Sequence, residues 1–141
     1  ALVAREAAVR ERLETSAAEE GDHLAWCEQR VHELGEETSR LAPFWYWGSF
    51  SIGAFAGMMG DKWSLGFIKE TEDQVIEHLQ GHLAEMPETE AKSRAIIEQM
   101  IVDEAHHGDT AVAAGGVPLP APVKVMMRLT AKVMTTVSYR I

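Results

Sequence analysis

The chain has 141 residues, 46% of them hydrophobic and 25% charged, with one cysteine, Cys27. Such a chain fits a single domain with a real core; it excludes a disordered protein, an internal disulfide and a thiolate metal cluster, and suits a reducing compartment. The net charge of −9 is uneven, because residues 1–109 hold all 22 acids and 9 bases while 110–141 hold four bases and no acid, so the acidic body argues against a nucleic-acid partner.

Residue 1 is alanine, no methionine precedes Met58, and no signal-peptide pattern opens the chain. It therefore reads as a fragment or processed form that begins inside a helical pattern. The first predicted helix, roughly Val3 to Leu34, is rich in Ala, Glu, Arg and Leu, and Gly35 stands where a C-cap glycine belongs. A second segment follows Pro43 and runs apolar to Gly60. A third spans about Asp61 to Glu85 and stops before Pro87. A fourth runs from about Glu88 to Ala114 and ends at Gly115-Gly116. A proline-rich linker, Pro118 to Pro122, leads into a last helix reaching about Arg140. Neither strand alternation nor a fixed-period repeat is present, and the expected class is all-α.

Two segments bear on where the protein works. Leu41 to Gly60 carries no charge and includes Phe44, Trp45, Tyr46, Trp47 and Phe50. Its length approaches that of a membrane span, but Pro43 and four glycines dilute it. A buried core helix, an interfacial or substrate-facing helix and a spanning helix all stay open, the last being the weakest. The final helix carries Lys124, Arg128 and Lys132 at i, i+4 and i+8, with Val123, Met126, Met127, Val133 and Met134 opposite. That pattern suits a basic amphipathic helix lying on anionic lipid, or equally a helix packed on the bundle with a solvated cationic edge.

The chemistry concentrates in two Glu-x-x-His motifs on separate helices, Glu20 with His23 and Glu104 with His107. Residues i and i+3 share a helix face, so a carboxylate and an imidazole can reach one ion. One such pair is weak evidence, since Glu20 stands beside Glu19, and Glu104 beside Asp103, in what reads equally well as a solvated acidic run. Two pairs in a helical bundle match the ferritin-like pattern, which adds a carboxylate from each of two other helices. On the middle helix Glu70, Glu72, Asp73 and Glu77 are candidates; Glu72 is favoured because it shares a face with Ile68 and Val75 of the apolar stripe. Hard oxygen donors with two imidazoles and no thiolate suit iron or manganese better than zinc. His78 and His82 form an i, i+4 pair, but His78 lies six residues from Glu72 and off its face. His82 therefore reads as solvated and His78 as peripheral, while His32 and His106 read as surface residues.

Several stretches resemble the bacterial demethoxyubiquinone hydroxylases of ubiquinone biosynthesis. They are Glu-Glu-Gly-Asp-His-Leu-Ala-Trp-Cys (19–27), Gly-Asp-Lys-Trp-Ser-Leu-Gly-Phe (60–67), Glu-Thr-Glu-Asp-Gln-Val (70–75), Asp-Glu-Ala-His-His-Gly (103–108), the linker 114–123, and Val-Met-Thr-Thr-Val-Ser-Tyr-Arg-Ile (133–141). The resemblance implies a ferritin-like four-helix bundle holding two iron ions on Glu20, His23, Glu72, Glu104 and His107, with Glu72 and Glu104 bridging. It also implies a sixth ligand, a glutamate on a first helix in an Asn-His-x-Gly-Glu stretch that this sequence lacks. Residues 1–141 are thus expected to form a single di-iron helical domain, truncated at its N-terminus, with an extra apolar helix and a C-terminal amphipathic helix.

The implied activity is a monooxygenase reaction in which dioxygen and a reductant hydroxylate the ring of a polyprenylated demethoxyubiquinol. The implied place is the cytoplasmic face of the inner membrane, bound peripherally, a setting compatible with partner proteins of ubiquinone biosynthesis. The rivals are a ferritin-like iron-handling or peroxide-detoxifying protein, which would share the ligands but not need an uncharged helix, and a metal-free helical interaction module. Tail length, electron donor and oligomeric state leave no mark in the sequence.

Overall fold

The computed structural model describes Ala1 and residues 4–140, and among them every regular element is a helix. They are α1 (Ala7–Glu33), α2 (Ala42–Met58), α3 (Asp61–Glu85), α4 (Ala91–Ala113) and α5 (Ala121–Ser138). The punctuation follows the sequence. Gly35 and Gly115 take positive φ values of 79° and 96° just past α1 and α4, a backbone region that a side chain makes costly. Helix α4 starts later than expected because Pro87 to Glu90 form a turn closed by a Glu90 N–H to Pro87 carbonyl bond. Val3, the expected start of α1, lies outside the described residues.

Long-range polar contacts fix the helix directions. The Asp61 carboxylate, opening α3, accepts the backbone N–H groups of Arg5 at 2.9 Å and Glu6 at 2.8 Å, and so ties the start of α1 to the start of α3. At the other end of α1, Arg30 donates to Ser93 and Glu90, each at 2.8 Å, and Lys92 reaches Glu33 at 2.6 Å. Helix α1 therefore runs parallel to α3 and antiparallel to α4. Val9 and Ala4 pack with Leu65 and Ala111, flanked by Leu13, Ile68 and Ala114, where the three elements meet. Beyond α4 the linker folds back over α3, with the Val117 N–H bonded to the Lys62 carbonyl at 3.1 Å. Gly66 makes room for it, since a Cβ there would stand 1.9 Å from the Val117 carbonyl oxygen.

Two expectations change here. Helix α2 is not a buried core helix: only Ala56 and Gly57 are buried, and Phe44, Tyr46, Trp47, Phe50 and Phe55 are exposed. No helix among the described residues is long and apolar enough to cross a membrane. Of the cationic stripe of α5, Lys124 turns to buried Glu70 at 2.5 Å, whereas Arg128 forms an exposed surface pair with Glu77 at 3.4 Å and Lys132 is exposed, so α5 packs on α3 with a solvated cationic edge. Val125, Met126, Leu129 and Val133 of α5 are exposed beside it.

Candidate metal centre

Antiparallel packing of α1 on α4 sets the two Glu-x-x-His motifs face to face, and α3 brings Glu72 in from the side. Glu20, Glu72, Glu104 and His107 each offer a ligand atom, all within 4.8 Å of one another. The fifth expected ligand, His23, lies against this group, its Nδ1 3.4 Å from Glu104 Oε1 and 3.7 Å from Glu20 Oε2. His23, Glu104 and His107 are all buried. The other acids of α3 go elsewhere: Glu70 to Lys124 and Gln74, Asp73 to Lys69, and Glu77 to Arg128. His32, His78, His82 and His106 are exposed.

The electrostatics are those of a site built around positive charge. Burial, then the charge of Glu104 and a hydrogen bond with it, pushes the Glu72 carboxyl up to about 9. Burial and the same neighbour raise Glu20. Without a cation Glu72 holds its proton at neutral pH; a metal ion supplies the charge that releases it.

The histidines make the same case. The ring nitrogen Nδ1 of His23 is buried without a hydrogen-bond partner. His107 Nδ1 faces Glu104 Oε2 at 3.3 Å and Glu20 Oε1 at 3.6 Å. With the proton of each ring on Nε2, both Nδ1 lone pairs point at carboxylate lone pairs, an arrangement that a shared cation resolves. Donor type and orientation fit a metal.

Two acids outside the expected set hold those rings in place. The Nε2–H of His23 donates to Asp103 Oδ2 at 3.0 Å, and that of His107 to Glu19 Oε2 at 2.5 Å. Each acid precedes the glutamate of one motif and reaches the histidine of the other. An outer carboxylate on the far ring nitrogen fixes the tautomer and strengthens the near nitrogen as a ligand. The bond to His23 keeps Asp103 below its ordinary range. Burial works against a charged His107, yet the bonds and charges of Glu19 and Glu104 together outweigh it and raise His107 overall. The signal in the sequence was the doubled acid, Glu19-Glu20 and Asp103-Glu104, whose first member read as solvent-facing until the helices were docked.

The surroundings differ on the two sides. A cavity of about 20 Å³, room for roughly one water, borders His107 and is lined by Leu13, Leu65, Ile68 and Thr110 among others. On the α1–α4 face a cleft of about 340 Å³ holds Trp26, whose ring centroid lies 5.3 Å from that of His23.

Comparison with known proteins agrees with this geometry. The family model described as ubiquinone biosynthesis protein COQ7 matches residues 1–138. A protein of Cupriavidus pinatubonensis named 3-demethoxyubiquinol 3-hydroxylase is 57% identical over 140 residues, covering 99% of this chain and 68% of that protein. Proteins of the same name from Nitrosospira multiformis and Nitrosococcus oceani are 56% and 55% identical, each over 139 residues and 99% of this chain, and over 67% and 65% of their own lengths. No solved structure matches significantly. The chain belongs to the COQ7 family of ubiquinone biosynthesis proteins.

Proposed function

We propose that this chain is a 3-demethoxyubiquinol 3-hydroxylase whose Glu20, His23, Glu72, Glu104 and His107 hold two iron ions. The relatives' shared name supports the activity, and the observation that carries the site is the convergence of three carboxylates and two inward-facing imidazole nitrogens in one pocket. Reduced iron at such a site supplies the electrons that activate dioxygen for insertion of one oxygen atom into the quinol ring. The chain's own residues bind the metals, keep Nδ1 of each histidine free for them through Asp103 and Glu19, and exclude bulk water with the core around Leu65 and Ala111. The iron-storage and peroxide-scavenging reading is not favoured, since it accounts for neither the relatives' name nor an outward aromatic helix.

The substrate's polyprenyl tail needs a lipid setting, and we place the protein peripherally on the cytoplasmic face of the inner membrane. Exposed Trp47, Phe50 and Phe55 of α2 support that reading, together with the apolar outer face of α5. Aromatic side chains of this kind favour the water–lipid interface.

The decisive experiment is elemental analysis after anaerobic Fe(II) loading of the protein and of its Glu104→Ala variant, followed by a quinol hydroxylation assay. About two irons per chain, the complement of this class, lost in the variant together with hydroxylation, is the expected result. Iron content indifferent to Glu104 would sink the assignment.

A further inference from the structure

A second pair of histidines converges away from the carboxylate pocket. His78 and His82 stand one turn apart on α3, and their Nε2 atoms lie 3.0 Å from each other, with ring centroids 4.4 Å apart and the rings nearly perpendicular at 77°. Both side chains are exposed, so water and dissolved ions reach them. Two imidazoles at i and i+4 on a helix are a recognised way to clasp one metal ion.

We propose that His78 and His82 form a separate, solvent-facing bidentate site for a tetragonal divalent ion, copper(II) or nickel(II), distinct from the carboxylate centre.

Ligand type selects the ion class. The 3.0 Å separation is that of an N–H···N hydrogen bond between the rings, so a metal ion would take the place of the shared proton. Two imidazole nitrogens with open positions left for water suit a tetragonal ion. Imidazole nitrogen also ranks copper and nickel above ferrous iron. The pair lacks the carboxylates that favour ferrous iron in the oxygen-rich pocket, and so offers iron little. Along α3 the pair lies six and ten residues beyond Glu72, about 9 and 15 Å at the helical rise, so the two sites can be loaded separately. The part of the His78 ring that packs on the helix, and then the neighbouring His82, lower its affinity for a proton. An ion held by residues one turn apart also staples the C-terminal turns of α3, and so stabilises the fold in proportion to its binding.

The test uses the untagged, iron-loaded protein titrated with copper(II) near neutral pH, read by electron paramagnetic resonance, with iron measured at the end point. One copper per chain with two-nitrogen hyperfine structure, iron retained, and affinity about a hundredfold weaker in His82→Ala is expected, since the variant loses the chelate gain. His78→Ala should match it, and nickel(II) should raise the thermal midpoint of the parent protein alone. Copper uptake unchanged in either variant, or matched by equal release of iron, would overturn the proposal. Because iron retention and copper binding are read separately, failure here leaves the di-iron reading standing.

Discussion

At the residue scale, the arrangement around the pocket is decided by which nitrogen of each histidine is free. Asp103 holds the Nε2–H of His23 and leaves Nδ1 facing Glu20 and Glu104. Removing that acceptor should let the ring turn and weaken the metal. Asp103→Ala is expected to lower iron affinity about 10–100-fold, the usual effect of losing an outer carboxylate, whereas Asp103→Asn keeps an acceptor oxygen and most of the affinity. Iron retained against a graded chelator measures both, and equal retention in parent and Asp103→Ala would show the contact to be incidental. A second consequence concerns pH. In the metal-free fold Glu72 keeps its proton up to about 9, against an ordinary value of 4.5. Between those values the folded state binds more protons than the unfolded one, so the stability of the metal-free protein should fall as pH rises through that window. Glu72→Gln, which cannot ionise, should flatten the decline in thermal midpoint between pH 6 and 9; parallel declines would assign it to other groups. The ligand candidates were legible because i, i+3 spacing is local to one helix. The roles of Glu19 and Asp103 were not, because each depends on a partner on the opposite helix.

At the scale of elements, proline and glycine made most helix ends readable, since their backbone limits act whatever the tertiary context. What a helix face meets is not local. The Lys124-Arg128 stripe of α5 has the spacing of a lipid-binding edge, yet buried Glu70 of α3 takes up Lys124, and Arg128 meets Glu77 only at the surface. Likewise Glu70 looked like a flank residue of α3 and is buried because Lys124 and Gln74 satisfy it. Glycines inside α3 give a sharp test of close approach. Gly81 has open space where a Cβ would go, so Gly81→Ala should stabilise the fold by about 0.5–1 kcal/mol through helix propensity. Gly66→Ala gains the same propensity but drives a methyl group into the Val117 carbonyl. A net loss of about 1–3 kcal/mol, typical of overpacking, is expected for it by denaturant unfolding. Opposite signs at the two positions would confirm that the linker is held on α3; the same sign would show that it yields.

For the whole molecule the accessible surface is 9519 Å², whereas a compact monomer of 15.6 kDa exposes roughly 7,300 Å² by size scaling. Part of the excess is apolar and lies on α2 and α5, with Phe44, Tyr46, Trp47, Phe50 and Phe55 on one and Val125, Met126, Leu129 and Val133 on the other. Exposed apolar area of this kind marks a surface that meets lipid or protein. Composition foretold an uncharged aromatic segment but not that it would face outward, because an apolar run looks alike in a core and at an interface. If the surface meets a bilayer, its mode of attachment follows from the pairing of α5. Lys124 is taken up by buried Glu70, but Arg128 and Lys132 stay exposed, so attachment combines apolar burial with a smaller, salt-sensitive attraction to anionic headgroups. Flotation with vesicles should then show binding to zwitterionic lipid that survives a rise in salt, because screening acts on exposed charges and not on buried apolar area. Trp47→Asp or Phe50→Asp should release the protein without loss of helix content by circular dichroism. Trp45→Asp should instead damage the fold, because Trp45 is half-buried and its indole nitrogen is out of reach of water. Binding that appears only with anionic lipid and vanishes in salt would mean that the exposed cations, not the apolar surface, make the attachment. Binding that ignores Trp47 and Phe50 would move the lipid-facing surface off α2 altogether.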